Sequence, residues 1–339
     1  MPFHSDTAPV RPGEELDRGA LARYLGKREV VVEQFPGGHS NLTYLIRADG
    51  EEYVLRRAPM GPVPPKAHDM AREYRMLASI HPHFPAAPKV HLLCEDPSVI
   101  GSAFFLMERR KGIILRETDS RLYDAEFTGP VSEAFIDGMI ALHAIDIAQP
   151  GLNSLGKPEG FLERQVRGWS DRWHRAETEK IAEMDRIVAW LAAAMPESGR
   201  ATIVHNDYKL DNVMLNVEDP GKIAAVLDWE MTTLGDPLAD VGLTLCYWTL
   251  GSSSGRNDSP GWYSREQLLE RYAAKTGRDV SGIGYYEVLG VFKLAVILQQ
   301  IYYRYVKGQT HDERFRAFDS RVKGLIETAF ALLDNLEPL

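Results

Sequence analysis

Short runs of alternating apolar and polar residues fill the first part of the chain, and turn residues separate them. This alternation is the pattern of β-strands. Five strands are predicted, at 29–35, 42–48, 51–57, 88–93 and 103–109. The Asp49-Gly50 pair predicts a tight hairpin, and apolar residues at helical spacing over 66–80 predict a helix. This part of the chain is therefore expected to form a small sheet with one main helix.

Beyond Gly112 the pattern of apolar positions becomes mostly helical. Helices are predicted at 131–146, 159–194 with an internal break, 237–250, 264–276, 285–306 and 314–335. One exception is the stretch 212–230, where two apolar runs joined by Glu-Asp-Pro-Gly-Lys predict a β-hairpin. Asp236 followed by Pro237 is typical of a helix N-cap and first turn. The fold class predicted from these patterns is α+β.

Composition narrows the class of protein. The chain has 339 residues, which favours two domains or lobes, and 44% hydrophobic with 26% charged residues is ordinary for a globular protein. Its two cysteines show neither a disulfide framework nor zinc-ligand spacing. A net charge of -9 disfavours binding to nucleic acid or anionic lipid. We also expect no membrane span and no secretory signal, hence a cytoplasmic protein.

Polar residues of the types that act in catalysis and ligand binding are concentrated in one segment. Its sequence is Val-His-Asn-Asp-Tyr-Lys-Leu-Asp-Asn, at 204–212. Phosphoryl transfer from ATP requires an acid that orients the acceptor hydroxyl, oxygen ligands for Mg²⁺, and a cation near the transferred group. Asp207 is the candidate acid and Lys209 the candidate cation. Asn212 and Asp228 are candidate magnesium ligands, because the predicted hairpin brings the end of its second strand back beside its start.

These motifs carry a family resemblance. His-Asn-Asp-Tyr-Lys-Leu-Asp-Asn and Asp-Trp-Glu followed by Gly-Asp-Pro-Leu-Ala-Asp resemble the aminoglycoside phosphotransferase and choline kinase group of the protein-kinase-like fold. Within that group the chain resembles the phosphotransferase-like domains associated with acyl-CoA dehydrogenases. The resemblance implies a bilobal fold with a small antiparallel sheet N-lobe and a larger, mostly helical C-lobe. The implied divisions are an N-terminal extension or helix at 1–27, a nucleotide-binding N-lobe at 28–108, a hinge at 109–112 and a helical C-lobe with the catalytic loop and acceptor site at 113–339.

The resemblance assigns a phosphate-covering loop to the turn between the first two strands. Gly37 and Gly38 permit close backbone approach, and Ser40 and Asn41 offer donors to phosphate oxygens. A Gly-Gly pair between strands is, taken alone, more often a simple turn. The assignment therefore depends on the order of the motifs.

Further nucleotide contacts are implied on the third strand, the first long helix and the hinge. Arg56 stands where the family has a phosphate-binding lysine, and Glu73 stands where the helix glutamate that pairs with it would be. Both residues also fit a solvated surface. Met107 would line the back of the adenine site, while backbone groups of Glu108 and Arg110 would bond the adenine edge.

The resemblance implies that three further residues support the catalytic loop. His205 is expected to brace the loop, and Asp236 and Asp240 are expected to cap a helix and hold the loop in place. Trp229 and Glu230 replace the Phe-Gly that follows the magnesium aspartate in protein kinases, which argues against a mobile activation loop and for a small-molecule acceptor.

The function that follows is ATP-dependent phosphoryl transfer with Mg²⁺ to a small-molecule hydroxyl. The acceptor is open between an aminoglycoside-like cation and a hydroxyacyl compound, and a functional link to an acyl-CoA dehydrogenase is implied by the resemblance. Two alternatives remain, a nucleotide-binding pseudokinase or scaffold and an atypical protein kinase. The first is favoured by Arg56, which stands in place of the family's lysine.

Overall fold

Two compact units make up the chain. A computed structural model of the protein describes residues 6–36, 41–59, 69–116, 119–250, 259–310 and 312–336. The first unit comprises Met1–Ile113, Met214–Glu218 and Ile223–Glu230, and the second comprises Ile114–Val213, Asp219–Lys222 and Met231–Leu339. The hairpin that the sequence division gave to the C-lobe thus lies largely in the first unit. The N-terminal residues belong to that unit as well.

Helices and strands follow one another in a defined order among the described residues. The strands are β1 (Val31–Gln34), β2 (Leu42–Ala48), β3 (Glu51–Arg57), β4 (Val90–Cys94), β5 (Phe104–Glu108), β6 (Thr202–Val204), β7 (Val213–Leu215), β8 (Ile223–Val226) and β9 (Thr233–Gly235). The helices are α1 (Arg18–Leu25), α2 (Met70–Ile80), α3 (Ala125–His143), α4 (Phe161–Ala176), α5 (Ala182–Ala193), α6 (Pro237–Leu250), α7 (Arg265–Thr276), α8 (Ile283–Val306) and α9 (Phe318–Asp334). The predicted α+β class is confirmed.

An antiparallel sheet with the strand order β1-β2-β3-β5-β4 lies in the first unit, together with α1, α2 and most of the β7–β8 hairpin. The hairpin between β2 and β3 forms as predicted, with Asp49 and Gly50 at φ 51° and 84°. Both angles lie in the left-handed region that a two-residue hairpin turn requires. At Gly112 an added Cβ would lie 2.4 Å from Met214 Cγ. A side chain at this position would therefore collide with β7.

The second unit consists mainly of helices, with a short antiparallel pair of β6 and β9. The predicted helix at 131–146 actually begins at Ala125, because the side chain of Asp124 accepts a hydrogen bond from the Glu126 N–H and caps the helix there. The predicted break within 159–194 separates α4 from α5, and α6 has the predicted bounds. Over the described residues, every helix is too short or too polar to cross a bilayer.

Candidate active site

The predicted base, Asp207, lies in the loop after β6, and three side chains of the second unit surround its carboxylate. Asn212 Nδ2 donates to Asp207 Oδ2 at 2.8 Å, and Lys209 Nζ lies 2.9 Å from the same oxygen. The hydroxyl of Tyr247 donates to Oδ1 at 2.7 Å. Both oxygens of the carboxylate are thus fixed in direction, which is the geometry that a base requires.

The amide of Asn212 has a defined orientation. Its Nδ2 donates both to the Asp207 carboxylate and, at 2.9 Å, to the Asp207 backbone carbonyl. Both partners are acceptors only, so the nitrogen must face them and the amide oxygen must face away. An outward amide oxygen is the ligand that the predicted magnesium role of Asn212 requires.

One face of α6 holds the predicted catalytic loop at three points. Asp240 Oδ1 and Oδ2 accept the backbone N–H groups of residues 205–206, and the Thr244 hydroxyl donates to the Tyr208 carbonyl at 2.8 Å. Tyr247 supplies the third contact through its hydroxyl. Positions 240, 244 and 247 share one helix face by the spacing of four and three residues. The loop is therefore attached along two turns of a single helix.

Asp240 is buried and charged. Its Oδ2 lies 3.3 Å from His143 Nε2. Burial alone would raise the pKa of Asp240, but the hydrogen bond from His143 and the interactions with His205 outweigh it and hold the pKa below its usual value. His205 is buried, and its Nδ1 accepts the Asp207 N–H at 3.3 Å. Asp236 caps α6 through the Leu238 N–H at 3.0 Å.

A second cluster lies within the first unit, where Arg56 meets three carboxylates. Arg56 Nε lies 3.3 Å from Glu73 Oε1, and Arg56 Nη2 lies 3.2 Å from Asp228 Oδ1 and 3.9 Å from Glu230 Oε2. Glu73 is only 2% exposed, so it does not face solvent as most helix glutamates do. The predicted Arg56–Glu73 pair is present, and its role toward nucleotide stays a prediction.

Burial and charge act in opposite directions on the groups of this cluster. Burial raises the pKa of Glu73 to about 7, and Arg56 opposes this rise. Burial would lower the pKa of Arg56, but Glu73, Asp228 and Glu230 together raise it above its usual range. Glu73 Oε2 has no hydrogen-bond partner among the described residues. Arg72 also lowers the pKa of Glu73, and its Nη1 donates to the Glu230 backbone carbonyl at 2.6 Å, so a second guanidinium contributes positive charge to this cluster.

Of the four residues predicted to act in the phosphate-covering loop, Asn41 is the one that the structure describes. Asn41 is buried, and its Nδ2 donates to Glu230 Oε2 at 2.7 Å. The amide predicted to face phosphate is therefore engaged with a carboxylate of the first unit. Gly37, Gly38 and Ser40 lie outside the described residues.

The predicted adenine segment lies at the end of β5. Met107 is buried in that strand, as a residue lining the back of a site or an ordinary core residue would be. The Glu108 N–H donates to the Lys89 carbonyl at 2.8 Å, and Arg110 Nη2 donates to the Pro85 carbonyl at 2.7 Å. The Glu108 N–H is thus already engaged with the Lys89 carbonyl, and the adenine contact of this segment stays a prediction.

Asp228 is held in a rarely adopted backbone conformation. Asp228 lies two positions after the end of β8, its φ of 66° is in the left-handed region, and its side chain is 33% exposed. The next residue, Trp229, is buried and donates to the Val226 carbonyl at 2.8 Å. No group of three or more His, Cys, Asp or Glu side chains in the described segments is arranged to hold a metal. Mg²⁺ usually takes one or two carboxylates and completes its shell with water and phosphate, and the magnesium role of Asp228 stays a prediction.

Sequence reasoning missed Tyr247, Glu230, His143 and Thr244. The polar residues of α6 had a readable signal, since they recur at helical spacing in an otherwise apolar helix. Glu230 lies two positions after the predicted metal ligand Asp228, and no contact was predicted for it. His143 had no local signal.

Solved structures resemble this arrangement of a five-stranded antiparallel sheet and a helical part. A protein of Ralstonia eutropha JMP134 assigned to the aminoglycoside phosphotransferases has a TM-score of 0.82 at 30% identity, over 96% of this chain and 100% of that chain. A thermostable mutant of aminoglycoside phosphotransferase APH(4)-Ia, in a ternary complex with AMP-PNP and hygromycin B, has a TM-score of 0.65 at 17% identity, over 94% and 99%. The fold is thus that of kinase-like phosphotransferases, as predicted.

The model of the phosphotransferase enzyme family matches residues 31–280, and the chain belongs to that family. Acyl-CoA dehydrogenase family member 10 of Mus musculus is 32% identical over 351 aligned positions, which cover 97% of this chain and 33% of the relative. The chain therefore spans about a third of the length of that relative. The predicted resemblance to domains associated with acyl-CoA dehydrogenases is confirmed.

Tyr247→Phe removes only the hydroxyl that contacts Asp207. Burial, and then the negative charge of Asp207, raise the pKa of Tyr247 well above its usual value, so the hydroxyl remains a donor at neutral pH. Loss of a hydrogen bond to a charged group costs roughly 1.5 kcal/mol, and we expect kcat to fall about tenfold with unchanged nucleotide affinity.

The matched control for this variant is Tyr123→Phe, which removes a hydroxyl from a side chain that is 63% exposed. It should leave turnover unchanged. Steady-state kinetics of both variants with the same acceptor make the comparison. A Tyr247→Phe enzyme with the kcat of the wild type would show that Tyr247 does not orient the base.

Proposed function

We propose that the protein transfers the γ-phosphoryl group of Mg-ATP to a hydroxyl of a small-molecule acceptor, with Asp207 as the base. The observation that carries the proposal is the fixed carboxylate of Asp207, which Asn212, Lys209 and Tyr247 orient within one unit. A carboxylate held in this way accepts a hydrogen bond from an acceptor hydroxyl and then its proton. The loose transition state of phosphoryl transfer leaves positioning and charge neutralisation as the main contributions.

Other residues take roles around this base. Lys209 neutralises charge on the transferred group, and its Nζ lies 5.1 Å from the centroid of the Tyr247 ring, which restrains the ammonium. Asn212 presents its amide oxygen and Asp228 its carboxylate to magnesium, which supplies charge neutralisation on the phosphates when it is bound. Arg56 contacts the α- and β-phosphates in place of the family's lysine, and Glu73 orients it.

The acceptor is proposed by analogy with relatives. The APH(4)-Ia structure contains hygromycin B, and the Mus musculus relative is named an acyl-CoA dehydrogenase family member. Two acceptor classes follow from these names, an aminoglycoside-like cation and a hydroxyacyl compound or its thioester. The second class would connect the protein functionally with an acyl-CoA dehydrogenase.

A nucleotide-binding pseudokinase is the second candidate, and one contact favours it. Arg56 Nη2 lies 3.2 Å from the carboxylate of Asp228, so a protein cation already neutralises the predicted metal ligand. If this contact persists with nucleotide bound, Arg56 replaces part of the charge of Mg²⁺ and turnover is not required. The two candidates differ in whether an acceptor is phosphorylated.

The test is ATP consumption with Mg²⁺ across a panel of aminoglycosides, choline, amino sugars, and hydroxy acids with their CoA thioesters. The Asp207→Asn variant is the blank, and a chelator provides the metal-free sample. ATP consumption that needs an acceptor, Mg²⁺ and Asp207 supports the kinase and names its acceptor class. No consumption with any acceptor, together with Mg-ATP binding measured by calorimetry, favours the pseudokinase.

A further inference from the structure

Lys293 lies on α8, and its side chain is buried in the second unit. It is 2% exposed. Lysine is almost never fully buried unless a carboxylate pairs with its charge. Lys293 forms no such ion pair with the described residues. Its Nζ instead donates to Asn206 Oδ1 at 3.3 Å and lies 5.6 Å from the centroid of the Trp169 ring. A buried charge with so few partners calls for a role other than stability.

The partner of Lys293 is the residue directly before the proposed base. Asn206 has φ 65°, in the left-handed region that only a few side chains tolerate. Its N–H donates to Asp240 at 2.6 Å, and its Nδ2 donates to the Met231 carbonyl at 3.1 Å. With Lys293 on Oδ1, both ends of the side-chain amide and the backbone N–H are held. The backbone turn at Asn206 sets the direction in which Asp207 leaves it.

We propose that Lys293 is a positioning residue of the catalytic loop, which holds the Asn206 side chain and thereby maintains the left-handed turn that presents Asp207. The effect on turnover rests on the proposed function, whereas the effect on the loop does not. The Trp169 ring supports the ammonium by a cation–π contact. A displacement of Asp207 by about 1 Å is sufficient to lower kcat roughly 100-fold.

The groups around Lys293 explain why its charge is sensitive to pH. Burial lowers the pKa of Lys293 to about 8, while the negative charges of Asp240 and Asp207 oppose this change and Arg172 on α4 and Cys246 on α6 contribute less. The ammonium is therefore present at neutral pH. It loses its proton as the pH rises through about 8, and its attraction to the side-chain amide oxygen Oδ1 of Asn206 weakens.

Two variants separate charge from volume at this position. Lys293→Met keeps a long unbranched side chain but removes its charge. Lys293→Arg keeps a positive charge, because an arginine side chain does not lose its proton in proteins. Amide hydrogen exchange, expressed as protection factors, reports the loop directly and needs no acceptor. For Lys293→Met we expect protection at residues 205–207 to fall about tenfold, while α9 keeps its protection and the unfolding midpoint does not decrease.

Three results would overturn the proposal. One is unchanged protection at 205–207 in Lys293→Met. A second is an equal loss of protection in α9, because Lys293 would then support the whole unit. If Lys293→Met does not fold, the comparison of wild type with Lys293→Arg decides. At about pH 9 the wild type should lose loop protection that Lys293→Arg retains, and equal protection in both proteins is the third result.

Turnover provides a separate readout once an acceptor is identified. The kcat of the wild type should decrease as the pH rises through about 8, and this decrease should be absent in Lys293→Arg. Nucleotide affinity should remain the same in all three proteins. A protein that shows the loop effect but phosphorylates no acceptor would contradict the proposed function and leave the positioning role intact.

Discussion

Asp207→Asn is expected to abolish phosphoryl transfer, with kcat reduced roughly 100- to 10,000-fold, while Mg-ATP still binds. The replacement has nearly the shape of the carboxylate, so the contacts of the loop with α6 through Asp240 and Thr244 persist. Asparagine accepts no proton from an acceptor hydroxyl at neutral pH. Its amide NH₂ would also face either Tyr247 or Asn212, which are donors.

Asp211→Asn is the matched control for this experiment. Asp211 lies in the same loop, but its side chain is exposed, and the variant removes the same charge from the same segment. It should retain most of the turnover. Acceptor-dependent ATP consumption measures activity and calorimetry measures nucleotide binding. Near-normal turnover in Asp207→Asn would reject Asp207 as the base, and an equal loss in both variants would assign the effect to the charge of the loop.

Among the substitutions considered, Asp240→Asn is expected to reduce the free energy of unfolding most, by about 3–5 kcal/mol. The carboxylate accepts the backbone N–H groups of His205 and Asn206 and lies beside His143. An amide in its place directs an NH₂ group at one of these donors and leaves that donor buried without an acceptor. The loop should loosen as well, so that turnover falls in the folded fraction of the protein. Urea denaturation followed by circular dichroism measures the change.

Asp185→Asn, which changes an exposed carboxylate in the first turn of α5, is the control and should cost less than about 1 kcal/mol. The pH dependence adds a second test. The pKa of Asp240 is lower in the folded protein, so its contribution is complete above the unfolded value and is lost as the pH falls through the folded one. The stability gap between the wild type and Asp240→Asn should therefore narrow in acid. A gap that widens there would contradict the role of the charged carboxylate.

Much of the fold could be predicted from local patterns. The strands β2 and β3 have the predicted bounds, because strict alternation and an Asp-Gly turn leave little choice of register. β6 and β9 were missed, since each has only three residues and β6 is buried throughout and shows no alternation. The start of α3 was missed because the capping contact of Asp124 depends on a side-chain geometry that apolar periodicity does not show.

The site residues that could be predicted are close together in the sequence, and those that were missed are far from them. Asp207, Lys209 and Asn212 were found because they lie within six positions of one another, and their chemistry is visible in a single segment. Tyr247 and Lys293 contact that segment from 40 and 87 positions further along the chain, through Asp207 and Asn206 respectively. No local pattern specifies such contacts, and both depend on the packing of α6 and α8.

Because the loop is attached to one face of α6, the helix fixes the distance between the contacts that hold the proposed active site. Asp240 and Tyr247 are seven positions apart, which corresponds to about 10 Å along the helix axis. An insertion of one residue between them would turn the later contact by about 100° away from the base. Related sequences that change this spacing are expected to have lost the reaction. Differences in acceptor are expected to arise instead in segments that α6 does not hold.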